Sequence, residues 1–228
     1  MRKVIVVGSG PIGSSFAKKL HELNSEVDIT MFEVGPAATH PLGTHVRSLN
    51  SEAEMLAAQQ ASQGPKAHTA HDARQMHTGV VTARPGTYLV EDGIEDSQMP
   101  AAAMSTNVGG MGAHWTCACP RFGEGEIPEF VDRAEYERDL DDAWRLLHVT
   151  QTAFEHYPLG KQLRDILGAK YNVGRNADRF VQPMPLAVEI RDKKVWWTGT
   201  DVIIEDILDS PRFHLISETM VIELIHDG

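Results

Sequence analysis

Cysteine is almost absent from this 228-residue chain, which carries only Cys117 and Cys119. Two thiols one residue apart are too close for an ordinary structural disulfide, so a disulfide-stapled scaffold is excluded. A reducing, cytoplasmic setting is the expectation. Basic residues are also scarce, with 21 Lys and Arg against 32 Asp and Glu and a formal net charge of −11. That balance argues against a nucleic-acid partner, which needs clustered positive charge. No apolar run is long enough to cross a bilayer, so no membrane partner is expected. The chain opens directly on strand-like sequence without a cleavable signal pattern. No internal repeat is seen. What is present is ordinary for a soluble globular protein, with 42% apolar and 23% charged residues. The length suits one large domain or a domain and a half.

The first informative stretch is N-terminal. Val4-Ile5-Val6-Val7 is a continuous β-branched run that predicts a strand buried on both faces. Gly8-Ser9-Gly10-Pro11-Ile12-Gly13 follows, and then Ser14 to Leu23 with Phe16, Ala17, Leu20 and Leu23 at helical spacing. Val27 to Phe32 returns to strand character and ends at Glu33, twenty residues beyond Gly13. Strand, G-x-G-x-x-G, helix, strand, acid is the dinucleotide-binding fingerprint. Gly8 permits the turn, Gly10 lets backbone approach a pyrophosphate, and Gly13 lets helix and strand pack closely. The helix N-terminus, with Pro11 and Ile12 in its first turn, offers free N–H groups to the phosphates. Glu33 suits a ribose diol and repels a 2′-phosphate, which argues against NADP. The fingerprint alone leaves NAD and FAD open.

The second informative stretch is Gly109-Gly110-Met111-Gly112-Ala113-His114-Trp115-Thr116-Cys117-Ala118-Cys119-Pro120. Three glycines in four positions let backbone come close to a flat ligand, and an imidazole, an indole and a hydroxyl follow at once. This GGM-x-x-HWTC-A-x-P run resembles the flavin-contacting segment of the glucose–methanol–choline (GMC) oxidoreductases, within them the pyranose oxidases and glycoside 3-oxidases. The resemblance, with the position of the fingerprint and Ala17 beyond it, implies FAD. It also implies that His114 matches the histidine carrying the flavin covalently through its 8α-methyl carbon. Gly112-Ala113 departs from the Ser-Thr of fungal relatives, so a noncovalent FAD beside His114 stays open. Thr116 matches the hydroxyl position near flavin N5 and O4 and is the single catalytic candidate. Val221 matches the residue that meets adenine through its backbone. The family's catalytic base belongs to the part of the fold beyond this chain.

The fold this implies is α/β: a Rossmann-like FAD-binding domain of the GMC type with the start of an α+β substrate domain, incomplete in this chain. The expected organisation is FAD-binding segments over 1–125, a helical linker and early substrate domain over 126–210, and return strands over 211–228. Ser51 to Ala57 opens a helix, whereas Ser62 to Met76 reads as a polar loop containing His68 and His71, with His77 just beyond. Those histidines lack a completing ligand set, and no metal is expected. Such a loop suits a lid or a contact in a homo-oligomer. Pro128 to Val149 predicts a helix packing through Tyr136, Leu140, Ala143, Trp144 and Leu147. Pro158 to Leu167 predicts another, packing through Leu159, Leu163 and Ile166 and stopped at Gly168. Phe180 to Val188 and Val195 to Trp197 read as strands, with Trp196 and Trp197 as core or interface residues. Asp201 to Leu208 reads as helical, and Phe213 to Ile216 and Met220 to Ile225 as strands.

The function implied is FAD-dependent oxidation of a ring hydroxyl, C2 or C3, of a pyranose or glycoside, with oxygen or a quinone as acceptor. The alternatives are a GMC alcohol oxidase or dehydrogenase for a non-sugar substrate, and an inactive FAD-binding fragment that needs a partner chain.

Overall fold

The computed structural model describes residues 2–62, 74–76, 79–81, 86–89, 103–123 and 125–225. His68, His71 and His77 lie outside the described residues. In chain order the elements are β1 (Arg2–Val7), α1 (Pro11–Leu23), β2 (Val27–Phe32), α2 (Glu52–Ala61), β3 (Arg74–Met76), β4 (Gly79–Val81), β5 (Tyr88–Leu89) and β6 (Ala103–Met104). They continue with α3 (Arg133–Leu146), β7 (Val149–Thr150), α4 (Pro158–Tyr171), β8 (Leu186–Arg191), β9 (Lys194–Trp197), α5 (Thr200–Ile204) and β10 (Phe213–Ile216). The chain divides into two compact units, 1–115 with 199–228, and 116–198.

The first unit is a parallel α/β sheet in the order β1-β2-β10, with α1 as the crossover between β1 and β2. Val27, Ile29 and Met31 alternate inward along β2 and are almost fully buried. β1 departs from the expectation of burial on both faces. Val6 is buried, but Ile5 and Val7 are 60% and 58% exposed. The pleat turns Val6 toward α1, whose Gly13 lies against it, and turns Ile5 and Val7 to the opposite face, which no described element covers.

α1 also sits differently from its apolar periodicity. Phe16 and Leu23 are exposed, while Ser14, Ala17 and Lys18 are buried. The cause is the close approach at Gly13, where a Cβ would lie 2.1 Å from the Gly8 carbonyl oxygen. A helix that close to β1 must turn small residues toward the sheet. Lys18 remains tolerable there because its ammonium pairs with Asp206 and, at 3.5 Å, with Glu22.

α2 is capped by Ser51, whose hydroxyl accepts the Glu54 N–H at 3.2 Å. The polar stretch Ser62 to Met76, expected as loop, ends in β3, which pairs antiparallel with β4, and β5 pairs with β6. Met220 to Ile225, expected as a strand, has no ladder. Ile222, Leu224 and Ile225 stand more than three-quarters exposed, because no described strand pairs with the segment.

In the second unit β7, β8 and β9 form an antiparallel sheet around buried Ala187 and Val188. The strand expected from Phe180 begins only at Leu186, beyond Pro183 and Pro185, which cannot donate to a ladder. α3 presents the expected half-buried stripe, and Arg121 lies 4.3 Å over the Trp144 ring while bonding Glu137 and Asp141. α4 runs through Gly168 to Tyr171, so that glycine does not stop it. Its Leu159, Leu163 and Ile166 are exposed, contrary to the packing role expected of them. Arg191 lies over Trp196 at 4.8 Å, and Trp197 packs against Phe154 at 6.2 Å. Both indoles are thereby held in structural contacts. Cys117 and Cys119 are free thiols, and burial pushes the Cys119 thiol above its ordinary pKa.

Candidate functional site

The fold brings together the two glycine-rich loops that lie one hundred residues apart in sequence. The Gly109 N–H donates to the Ser9 hydroxyl at 2.9 Å, and that hydroxyl donates to Glu33 Oε2 at 2.6 Å. The Ser9 N–H reaches the same oxygen at 3.0 Å, and the Gly35 N–H reaches Oε1 at 2.9 Å. Glu33 is therefore a buried junction between the loops, and among the described residues the one bond to Oε1 is that from the Gly35 N–H. Gly110 faces Gly10 so closely that a Cβ on Gly110 would lie 3.4 Å from the Gly10 Cα. Past β10, the Thr219 N–H donates to the Glu33 carbonyl at 2.9 Å, which sets half-buried Val221 two residues beyond that tether.

The fingerprint loop remains open on its outer side. Side chains built on Gly8 or Gly10 would meet nothing within 4 Å. The N-terminus of α1 has Pro11 in its first turn, no side-chain cap and no acidic residue. A cleft of about 590 Å³ lies here, bounded by Gly8, Gly10, Gly13, Ile12, Phe16 and Met111. Its backbone donors and helix dipole suit a pyrophosphate, and its apolar walls suit the flat portions of a nucleotide.

The second loop forms a short 3-10 turn over Gly110–Ala113, closed by the His114 N–H to the Met111 carbonyl at 3.0 Å. Gly109 enters it with φ +99°, a conformation that favours glycine. His114 follows with only 7% of its surface exposed, and neither ring nitrogen has a hydrogen-bond partner among the described residues. Gly86 lies directly against this ring, where a Cβ would come within 2.3 Å of Cε1 and 2.6 Å of Nδ1. Burial, and secondarily the neighbouring His45, pull the His114 pKa down to about 4. A neutral imidazole with two unsatisfied nitrogens is a nucleophile lacking its partner, and it fits an electrophilic ligand carbon. Trp115 is half-buried, and Thr116, the first residue of the second unit, is exposed.

Ser9, His45 and Gly86 join the site beyond the residues expected from sequence. Ser9 was visible only as the variable position of the fingerprint. His45 is 1% exposed, with its Nδ1 accepting the Arg47 N–H at 3.1 Å and its Nε2 at 3.0 Å from the Trp115 carbonyl oxygen. No metal-binding cluster occurs among the described residues. Among them, too, no helix is long and apolar enough to cross a membrane.

Comparison with known proteins places this geometry in context. Over 99% of its length the chain is 44% identical to a C-glycoside 3-oxidase of Arthrobacter globiformis, covering 44% of that protein. It is 42% identical to a C-glycoside 3-oxidase of Microbacterium trichothecenolyticum, with 99% of the chain and 45% of the relative aligned. This chain is a homologue of the glycoside and pyranose oxidases of the GMC superfamily. A pyranose 2-oxidase of Tricholoma matsutake is 30% identical over 97% of the chain and 42% of its own length. The chain thus spans less than half the length of these glycoside and pyranose oxidases. No protein-family model matches it.

Proposed function

We propose that the chain forms the cofactor-holding portion of an FAD-dependent oxidoreductase that oxidises a ring hydroxyl of a pyranose or glycoside. The observation that carries this reading is the orphaned, neutral imidazole of His114, held beside a glycine loop that faces an open dinucleotide fingerprint. The names of the relatives support the sugar class and the ring position. FAD supplies the acceptor for a hydride from the substrate carbon and passes the electrons on to oxygen or a quinone. The residues of this chain bind and orient it. The N-terminus of α1, with Gly10, Pro11, Ile12 and Gly13, takes the pyrophosphate. The Glu33 carboxylate takes a ribose hydroxyl, and the Val221 backbone meets adenine.

Gly109, Gly110, Met111 and Trp115 would hold the ring system. His114 would supply the nitrogen for a covalent bond to the dimethylbenzene edge, the methyl carbon there losing a proton and the electron pair passing through the ring system to oxygen or a quinone. Thr116 would supply the hydroxyl near flavin N5 and O4, as its match to the family motif implies. A cytoplasmic, reducing setting accords with the free thiols. The reading is tested by assaying the full-length protein against aldoses and C- and O-glycosides with both oxygen and a quinone. Turnover of a non-sugar alcohol with no sugar oxidised would replace the sugar assignment and keep the flavin.

A further inference from the structure

The segment Gly43–His45 lies under the His114 turn and is fixed from below. The Asp201 N–H reaches the Gly43 carbonyl at 3.4 Å, and Gly43 abuts Thr200 so closely that a Cβ would fall 2.1 Å from its hydroxyl oxygen. Fully buried Thr44 directs its hydroxyl to the Pro41 carbonyl at 2.8 Å and to Asp201 Oδ2 at 3.1 Å. His45 then projects upward from this anchored backbone. Its Nδ1 accepts the Arg47 N–H, so in the neutral ring the proton sits on Nε2. The Trp115 carbonyl, 3.0 Å from Nε2, can only accept, and demands the same tautomer. Burial keeps that ring neutral, with its pKa pulled down to about 4.

We propose that His45 is a positioning residue for His114, acting through the main chain at Trp115, the residue that follows it. The main chain is pinned just before the ring by the His114 N–H to the Met111 carbonyl, and just after it by the His45 Nε2–H to the Trp115 carbonyl. The His114 ring is then clamped between a fixed backbone and Gly86, with no hydrogen bond of its own to orient it. Its aim therefore depends on where its main chain is held. What it is aimed at rests on the flavin reading above. The other duty of His45, capping the short turn Val46–Ser48 through Nδ1, is separable from this one.

Two isosteres separate the duties. The amide nitrogen of Gln replaces His Nε2, so His45→Gln keeps the donor to Trp115 and gives up the cap. The amide oxygen of Asn replaces His Nδ1, so His45→Asn keeps the cap and gives up the Trp115 donor. The full-length protein, labelled with ¹⁵N in its histidine rings, is examined by NMR, by thermal melting and by flavin retained after acid precipitation. The wild type is expected to show His45 as the neutral Nε2–H tautomer. His45→Gln is expected to preserve the His114 ring signals and flavin retention. His45→Asn is expected to shift the His114 signals and to lower retention about tenfold, the worth of one buried hydrogen bond. A charged or Nδ1–H His45 overturns the inference. So do His45→Asn matching wild type, or losses in both variants that follow their melting temperatures. A wild type that holds no flavin sinks the cofactor reading instead, and the ring spectra still judge His45.

Discussion

The Gly109 N–H and the Ser9 hydroxyl, 2.9 Å apart, tie the flavin-type loop to the dinucleotide fingerprint. Because the same hydroxyl donates to Glu33, one small side chain decides whether the two halves of the site stay in register. Ser9→Ala leaves a buried N–H and a carboxylate each short of a partner, at a cost of roughly 1–3 kcal/mol. The expected outcome is a lower melting temperature together with weaker FAD retention. A double-mutant cycle with Glu33→Gln should be markedly non-additive, since both changes cut one chain of bonds. Additive effects would separate the loops.

Glu33→Ala should weaken FAD retention beyond what Ser9→Ala does, because it removes the ribose acceptor as well as the junction. The comparison requires a background in which any covalent link is blocked. Equal retention in the two variants would leave Glu33 as a junction only.

Gly86→Ala forces a side chain into the His114 ring at a backbone with φ +88°. Strain and overpacking together should cost on the order of 1–3 kcal/mol. The readable consequence is displacement of the imidazole: the variant should bind FAD when native yet release it on acid precipitation. A variant that keeps all of its acid-stable flavin would show that Gly86 does not clamp His114.

How much of this was legible beforehand follows from the range of each interaction. The fingerprint was readable because its parts sit within thirty-three residues, and Gly13 performs the close packing its spacing implies. Ile5 and Val7 depart from expectation because a continuous apolar run does not reveal which face of its strand is covered. Phe16 and Leu23 were misread because periodicity favours large apolar residues. The contact at Gly13 instead selects Ser14 and Ala17. Gly86 carries no sequence signal, and Gly43-Thr44-His45 carries only a faint resemblance to the segment after the second strand of pyranose oxidases. Their contacts with the His114 turn join positions 28 and 70 residues apart, and neither lies in a patterned stretch.

The two buried histidines also set a pH dependence. Both are pulled from 6.5 to about 4 in the folded chain. Between those values the unfolded chain binds more protons than the folded one, so stability rises with pH through this window. It is therefore lost on acidification from about pH 6.5 toward 4. Each histidine accounts for roughly 2 kcal/mol between about pH 7 and pH 5. Melting curves across this range should be flatter for His45→Gln than for wild type. Parallel curves would mean that His45 is not held neutral by burial.

If this glycine-lined site serves a flavin that takes hydride from sugars, the anaerobic visible spectrum of the full-length protein must respond to a pyranose or glycoside. The isolated or FAD-reconstituted protein is expected to show a flavin spectrum that bleaches with at least one such sugar and returns on admitting oxygen or a quinone. A protein with no flavin spectrum after reconstitution, or one whose bands persist unchanged with every sugar, would contradict that role.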